Sequence, residues 1–143
     1  YGEDNVAKVV TMLEDMLKRN VLLGGTAGVI VEPVGPESGT RPVAHDYNAG
    51  VRALCDKYGA LMIFDEVVTG FRVALSGAQG YFGVVPDLTV FGKIVAGGYP
   101  SAGGVGSASR SSLRITSIQS LFRFIIPDSS HTPGSGAPAA PGP

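Results

Sequence analysis

Cysteine occurs once in this sequence, at Cys55, and tryptophan not at all. A single thiol excludes an internal disulfide, which fits a reducing compartment, and a cytoplasmic location is the expectation. Charged residues make up only 16% of the chain, and the formal net charge is −1. Lys and Arg are scattered, which argues against a nucleic-acid surface, because that needs a basic stripe. No apolar run approaches the roughly 20 residues of a membrane-spanning helix, so no membrane partner is expected. The opening residues, YGEDNVAKVV, lack the charged-then-apolar pattern of a secretory signal. They also lack an initiator methionine, so the chain is expected to begin partway through a longer protein. His45 and His131 have no ligand partner at metal spacing, and no metal is expected.

What is present is a globular composition, 44% hydrophobic over 143 residues. One domain is the default at that length, able to bury about two-thirds of the surface its unfolded chain exposes. Residues 5–20 read as an amphipathic helix, with Val6, Val9, Val10, Leu13 and Leu17 at helical spacing and Asp4 or Asn5 as its cap. Residues 27–31, AGVIV, form a β-branched run without alternation, the pattern of a central strand covered on both faces. A turn-rich loop, 34–44, follows Glu32-Pro33. Residues 46–58 read as a second helix, capped by Asp46, with Val51, Leu54, Cys55 and Tyr58 on its apolar face. Cys55 therefore reads as a buried helix residue. Gly59 ends that helix, and a buried strand, 60–64, follows. Strand, helix, strand is a βαβ unit, which predicts parallel strands that deliver Glu32 and Asp65 to one edge of the sheet. In open α/β sheets ligands bind at that edge.

The chain is organised around residues 59–100, GALMIFDEVVTGFRVALSGAQGYFGVVPDLTVFGKIVAGGYP. An apolar strand stops at two carboxylates, Asp65 and Glu66. The region 67–85 reads as a glycine-rich loop, in which Tyr81 and Phe82 are packing residues and Arg72 either contacts substrate or closes a turn. A short strand, 88–91, then leads to Gly92-Lys93. A carboxylate at the end of an apolar strand is costly unless a cation is near. A lysine in an apolar setting is the residue type that can lose its proton and attack a carbonyl. Gly97, Gly98, Gly103, Gly104 and Gly106 predict a tight-turning segment.

IFDEVVTGFR followed by GAQGYFGVVPDLTVFGK resembles the class-III (subgroup-II) aminotransferases, and most of all the glutamate-1-semialdehyde 2,1-aminomutases. The resemblance covers 27–106. It implies a fold-type-I α/β large domain, a mostly parallel sheet flanked by helices. It also implies pyridoxal 5′-phosphate (PLP) as cofactor, with a small-molecule amino donor and a carbonyl acceptor as partners. Full-length members of the family are expected to be homodimers. Carried onto these positions, the resemblance makes Lys93 the imine lysine and Asp65 the acid on the pyridine nitrogen. Val67 is the apolar residue on the ring face, and Glu37 faces the ring's 3′-oxygen. Glu37 favours an intermolecular transaminase, whereas FRVALSGAQGYFGVVPDL stands nearer the aminomutases. The bland readings are a helix cap or solvated loop for Asp65-Glu66, and a surface acid for Glu37.

Beyond residue 106 the character changes to Ser, Arg and then Pro, Gly and Ala. Two units are therefore expected: 1–106, part of a PLP-binding large domain, and 107–143, a disordered tail from a shifted frame or truncation. The family's upstream phosphate-binding turn and its small C-terminal domain are not recognisable. A second reading is thus an inactive fragment that acts by associating with a full-length relative. A third, a P-loop ATPase using LMIFDE to hold Mg²⁺, fails on the motif. G-x-x-x-x-G-K-[ST] would need glycine where Asp87 stands and Ser or Thr where Ile94 stands.

Overall fold

The computed structural model describes residues 5–106. The tail expected for 107–143, with His131, and the candidate cap Asp4 lie outside the described residues. The described part is a four-stranded mixed sheet flanked by helices, in the order α1 (Val6–Val21), β1 (Gly28–Val31), α2 (Pro36–Gly39), α3 (Tyr47–Tyr58), β2 (Leu61–Glu66), α4 (Gly77–Phe82), β3 (Leu88–Phe91), a 3-10 turn (Lys93–Ala96) and β4 (Gly103–Gly106). In space the strands run β1-β2-β3-β4. β1, β2 and β3 are parallel, and β4 is antiparallel to β3.

The expected βαβ unit forms, with α3 as the crossover between β1 and β2. Val51 and Cys55 of α3 are fully buried against Met62 and Phe64 of β2, and Ala78, Phe82 and Val84 complete the cluster. Removing a side chain of this size from water contributes about 1.5–3 kcal/mol. α3 ends where Gly59 takes a left-handed φ of 69° and its N–H reaches the Cys55 carbonyl, a conformation that costs glycine nothing. α1 lies on α3. Val10 Cγ2 comes within 3.0 Å of where a Cβ on Gly50 would sit, and Lys57 Nζ and Tyr58 Oη donate to Glu14 Oε1 at 2.6 and 3.1 Å. Neither Asn5 nor Asp46 caps its helix through its side chain.

Several expectations are corrected. β1 stands at one edge of the sheet among the described residues, and Ile30 is 60% exposed, so the strand is covered on one face only. β2 does not stop before its carboxylates. It runs through Asp65 and Glu66, which therefore point to opposite faces. The region 67–85 contains the short helix α4. The segment 103–106 is a strand rather than a turn, paired with Phe91 through Leu88. Cys55 is buried, as its helical neighbours predict.

The Pro-Asp-Leu element owes its place to packing. Asp87 is 3% exposed, and its Oδ2 accepts from both Arg52 Nη1 and the Met62 N–H at 2.7 Å. One carboxylate thereby ties α3, the start of β2 and the start of β3 together. Burial works against the Arg52 charge, but the hydrogen bonds it donates to Asp87 and Asp56, with their negative charge, outweigh it and raise the guanidinium's pKa.

Candidate functional site

Because β1, β2 and β3 are parallel, their carboxyl ends share one edge, and the residues singled out in the sequence collect there. Asp65 sits opposite Val90 in the register, near the end of β2. It is half-buried on the open face, and its Oδ1 accepts the Val67 N–H at 3.1 Å. That bond fixes the chain as it leaves the strand. Val67 then packs on β3's end: its Cγ1 is 3.2 Å from where a Cβ on Gly92 would stand. A side chain at residue 92 would push Val67 away, so glycine there permits the contact.

Lys93 follows at once. Its backbone is left-handed, φ 49°, an unusual state for a residue with a Cβ. Such strain persists only where the surroundings impose it, and it gathers at functional positions. Lys93 is exposed, as are Ile94 and Val95, so the apolar setting expected for it is not present among the described residues. Among those residues no ion pair joins Asp65 to Lys93.

Glu37 lies in α2, after the end of β1. Glu37 and Ser38 are both left-handed, with φ 56° and 63°, so α2 is a kinked turn rather than a regular helix. Glu32 stabilises it by accepting the Ser38 N–H at 2.8 Å. The Glu37 carboxylate is 65% exposed, takes the Thr40 hydroxyl at 3.2 Å, and stands 3.8 Å from Arg41 Nη2.

Other residues have local roles. Arg72 Nη1 donates to the Val68 carbonyl at 2.5 Å and closes a turn. Tyr81 meets Phe82 edge-on at 4.8 Å, and His45 lies 5.3 Å from the same ring. The residue that sequence reasoning missed is Glu66, which is 1% exposed. Its Oε2 accepts the Ala78 N–H at 2.9 Å and the Thr69 hydroxyl at 3.5 Å. Burial raises its pKa above the usual carboxylate range, an effect those two bonds offset in part. The signal that could have found it is the period-2 rule, which puts residue 66 on the face of Met62 and Phe64.

A cavity of ≈ 440 Å³ opens on that covered face, lined among others by Glu66, Phe71, Thr89, Phe91 and Val105. Asp65, Val67 and Lys93 do not line it, so it is separate from the edge.

A mixed α/β sheet with these residues on its carboxyl edge defines a piece of a PLP-transferase fold. The family model for aminotransferase class-III matches residues 2–114. The chain belongs to that family. Among solved structures, it is 36% identical to an (S)-enantioselective ω-transaminase from Thermomicrobium roseum, over 75% of this chain and 24% of that one, with a TM-score of 0.64. It is 33% identical to a glutamate-1-semialdehyde aminomutase from Pseudomonas aeruginosa PAO1, in complex with PMP, over 69% and 21%, with a TM-score of 0.60. It is 34% identical to a transaminase with PLP bound, over 65% and 21%, with a TM-score of 0.55. The chain thus spans between a fifth and a quarter of each of these relatives.

Proposed function

We propose that this chain carries the lysine and the ring-facing residues of a PLP-dependent amino-group transfer site, of the glutamate-1-semialdehyde aminomutase-like kind. The observation that carries the reading is the shared strand edge. Asp65 near the end of β2, Lys93 just after β3, the parallel register of those strands and the Val67–Gly92 contact support reading them as one site. The donor set fits the group: an amine for its aldehyde, a carboxylate for its ring nitrogen and an apolar side chain for its ring face. When bound, PLP supplies an electron sink for the carbanion formed at the substrate. Lys93 would hold the cofactor through Nζ, and the same amine would move the substrate's α-proton. Asp65, its Oδ1 oriented by the Val67 N–H, would keep a proton on the pyridine nitrogen. Val67 excludes water from one ring face. Glu37 would face the ring oxygen, and its neighbour Arg41, 3.8 Å away, would offer a counter-charge. The partners would be a small-molecule amino donor and a carbonyl acceptor, and the working unit a homodimer of full-length subunits.

Incubation with PLP followed by borohydride tests the reading by peptide mapping. Label concentrated on Lys93 and lost in Lys93→Ala is the expected result. Label spread over many lysines, or none, rejects a formed site.

A second reading is favoured by the exposed apolar residues Leu22, Leu23 and Tyr99, exposed by 89%, 84% and 79%. In it the chain is catalytically inactive and associates with a full-length relative. Co-expression with a full-length class-III aminotransferase would then give a mixed complex on gel filtration, and separate elution would reject it.

A further inference from the structure

We infer that Glu66 is a positioning residue for the edge site: its buried carboxyl fastens the 67–77 loop on the covered face, and that loop seats Val67 against Gly92 beside Lys93. This rests on the reading of Asp65 and Lys93 just proposed. Successive strand residues face opposite sides. Asp65 is thereby left to the open side, and Glu66 enters the covered one.

There the loop closes on the Glu66 carboxyl from both ends. Thr69 and Ala78 donate to Oε2. Gly77 approaches so closely that a Cβ on it would lie 2.7 Å from Oε1. The Glu66 carbonyl also accepts the Gly70 N–H at 3.0 Å. Gly70 lies on the Phe91 ring, where a Cβ would be 2.6 Å from Cδ1, and the Phe71 ring stacks 5.3 Å from Phe91. The loop therefore bears on the last residue of β3, and its first residue bears on Gly92. A buried carboxyl is a costly way to fill space. Two donors drawn from opposite ends of one loop give it a use that an apolar side chain lacks. Glu66 acts through Val67 and Gly92 and does not itself reach the edge.

The test uses the whole chain with Glu66→Ala and Glu66→Gln. One readout is the rate of borohydride-fixed PLP at Lys93. The other is amide hydrogen exchange without PLP. In Glu66→Ala the labelling rate should fall about tenfold to a hundredfold, the scale of a misplaced reacting group. Exchange should rise at 67–78 and 93–96 and stay unchanged in α1 and α3. Glu66→Gln keeps an acceptor oxygen for Ala78 and should recover most of both. Wild-type labelling rates in Glu66→Ala would overturn the inference. So would exchange that rises uniformly through α1 and α3, or damage in Glu66→Gln equal to that in Glu66→Ala. A wild-type chain that takes no label at Lys93 fails the proposed function itself, and the inference falls with it.

Discussion

Asp87→Ala should be strongly destabilising. Asp87 Oδ2 serves two donors at 2.7 Å, the Arg52 guanidinium and the Met62 N–H, and its side chain is 4% exposed. Truncation strands a buried cation, whose side chain is 16% exposed, and leaves a strand N–H unpaired. Breaking a buried ion pair from one side costs about 3–5 kcal/mol. Asp56 still holds Arg52 Nη2 at 2.8 Å, which favours the lower end of that range. With a urea slope of about 2 kcal/mol/M, the midpoint should drop by about 1.5 M. Asp87→Asn keeps an oxygen for Met62 and loses only the charge, so about 1–3 kcal/mol is expected. Arg52→Met added to Asp87→Asn should cost less than the two changes summed, because neither partner is then left charged and buried. The assay is urea unfolding followed by circular dichroism. An unchanged midpoint in Asp87→Ala, or strict additivity in the pair, would refute the assignment of Asp87 as the tie between α3, β2 and β3.

Gly70→Ala should destabilise by about 1–3 kcal/mol, the cost of overpacking, since its Cβ would meet the Phe91 ring at 2.6 Å and the Glu66 carbonyl at 2.8 Å. A midpoint matching wild type would mean that the loop does not lie on Phe91. Two carboxyls should shape the pH profile in opposite senses. The Glu14 pKa is lowered, first by the Lys57 hydrogen bond and then by Tyr58. Its contribution is complete above the ordinary carboxyl value and is lost as pH falls through the lowered one. The Glu66 pKa is raised by burial. The folded chain then holds a proton that the unfolded chain releases, so stability declines as pH rises from the ordinary value through the raised one. Unfolding midpoints across pH should lose the acid-side fall in Glu14→Gln and the higher-pH decline in Glu66→Gln. A Glu14→Gln profile that superimposes on wild type would show that the α1–α3 contact contributes nothing.

Much of the fold was legible because short apolar runs and helical spacing are local signals. The runs at 27–31, 60–64 and 88–91 became β1, β2 and β3 with small shifts in their bounds, and the two long helices formed as expected. What escaped was set by contacts distant in sequence. α4 contains Gly77 and Gly80 and reads as a loop, yet the Glu66 carboxylate holds its first turn through the Ala78 N–H. β4 is Gly-Gly-Val-Gly, in which three glycines outweigh the strand propensity of Val105, and it extends by pairing with β3. Coverage of β1 on both faces was inferred from the lack of alternation in AGVIV, but burial depends on what packs above a strand, and among the described residues little lies over Ile30.

The same division runs through the site. Asp65, Val67, Glu37 and Lys93 were singled out because a motif names residue types in order, and the parallel register puts the carboxyl ends of the strands they follow or end on one edge. The motif could not say why Asp65 is followed by a second acid. On β2 the two carboxylates are one residue apart and a sheet's thickness apart in function. Asp65 orients the exit of the strand through the Val67 N–H, and Glu66 holds the loop that Val67 begins. An Asp-Glu pair in a loop could trade places at little cost. In a strand it cannot, because exchanging the two puts the longer side chain on the open face and a shorter one beneath Ala78. The order of the two acids is therefore a consequence of strand geometry, and the doublet reads as two neighbouring devices rather than one duplicated charge.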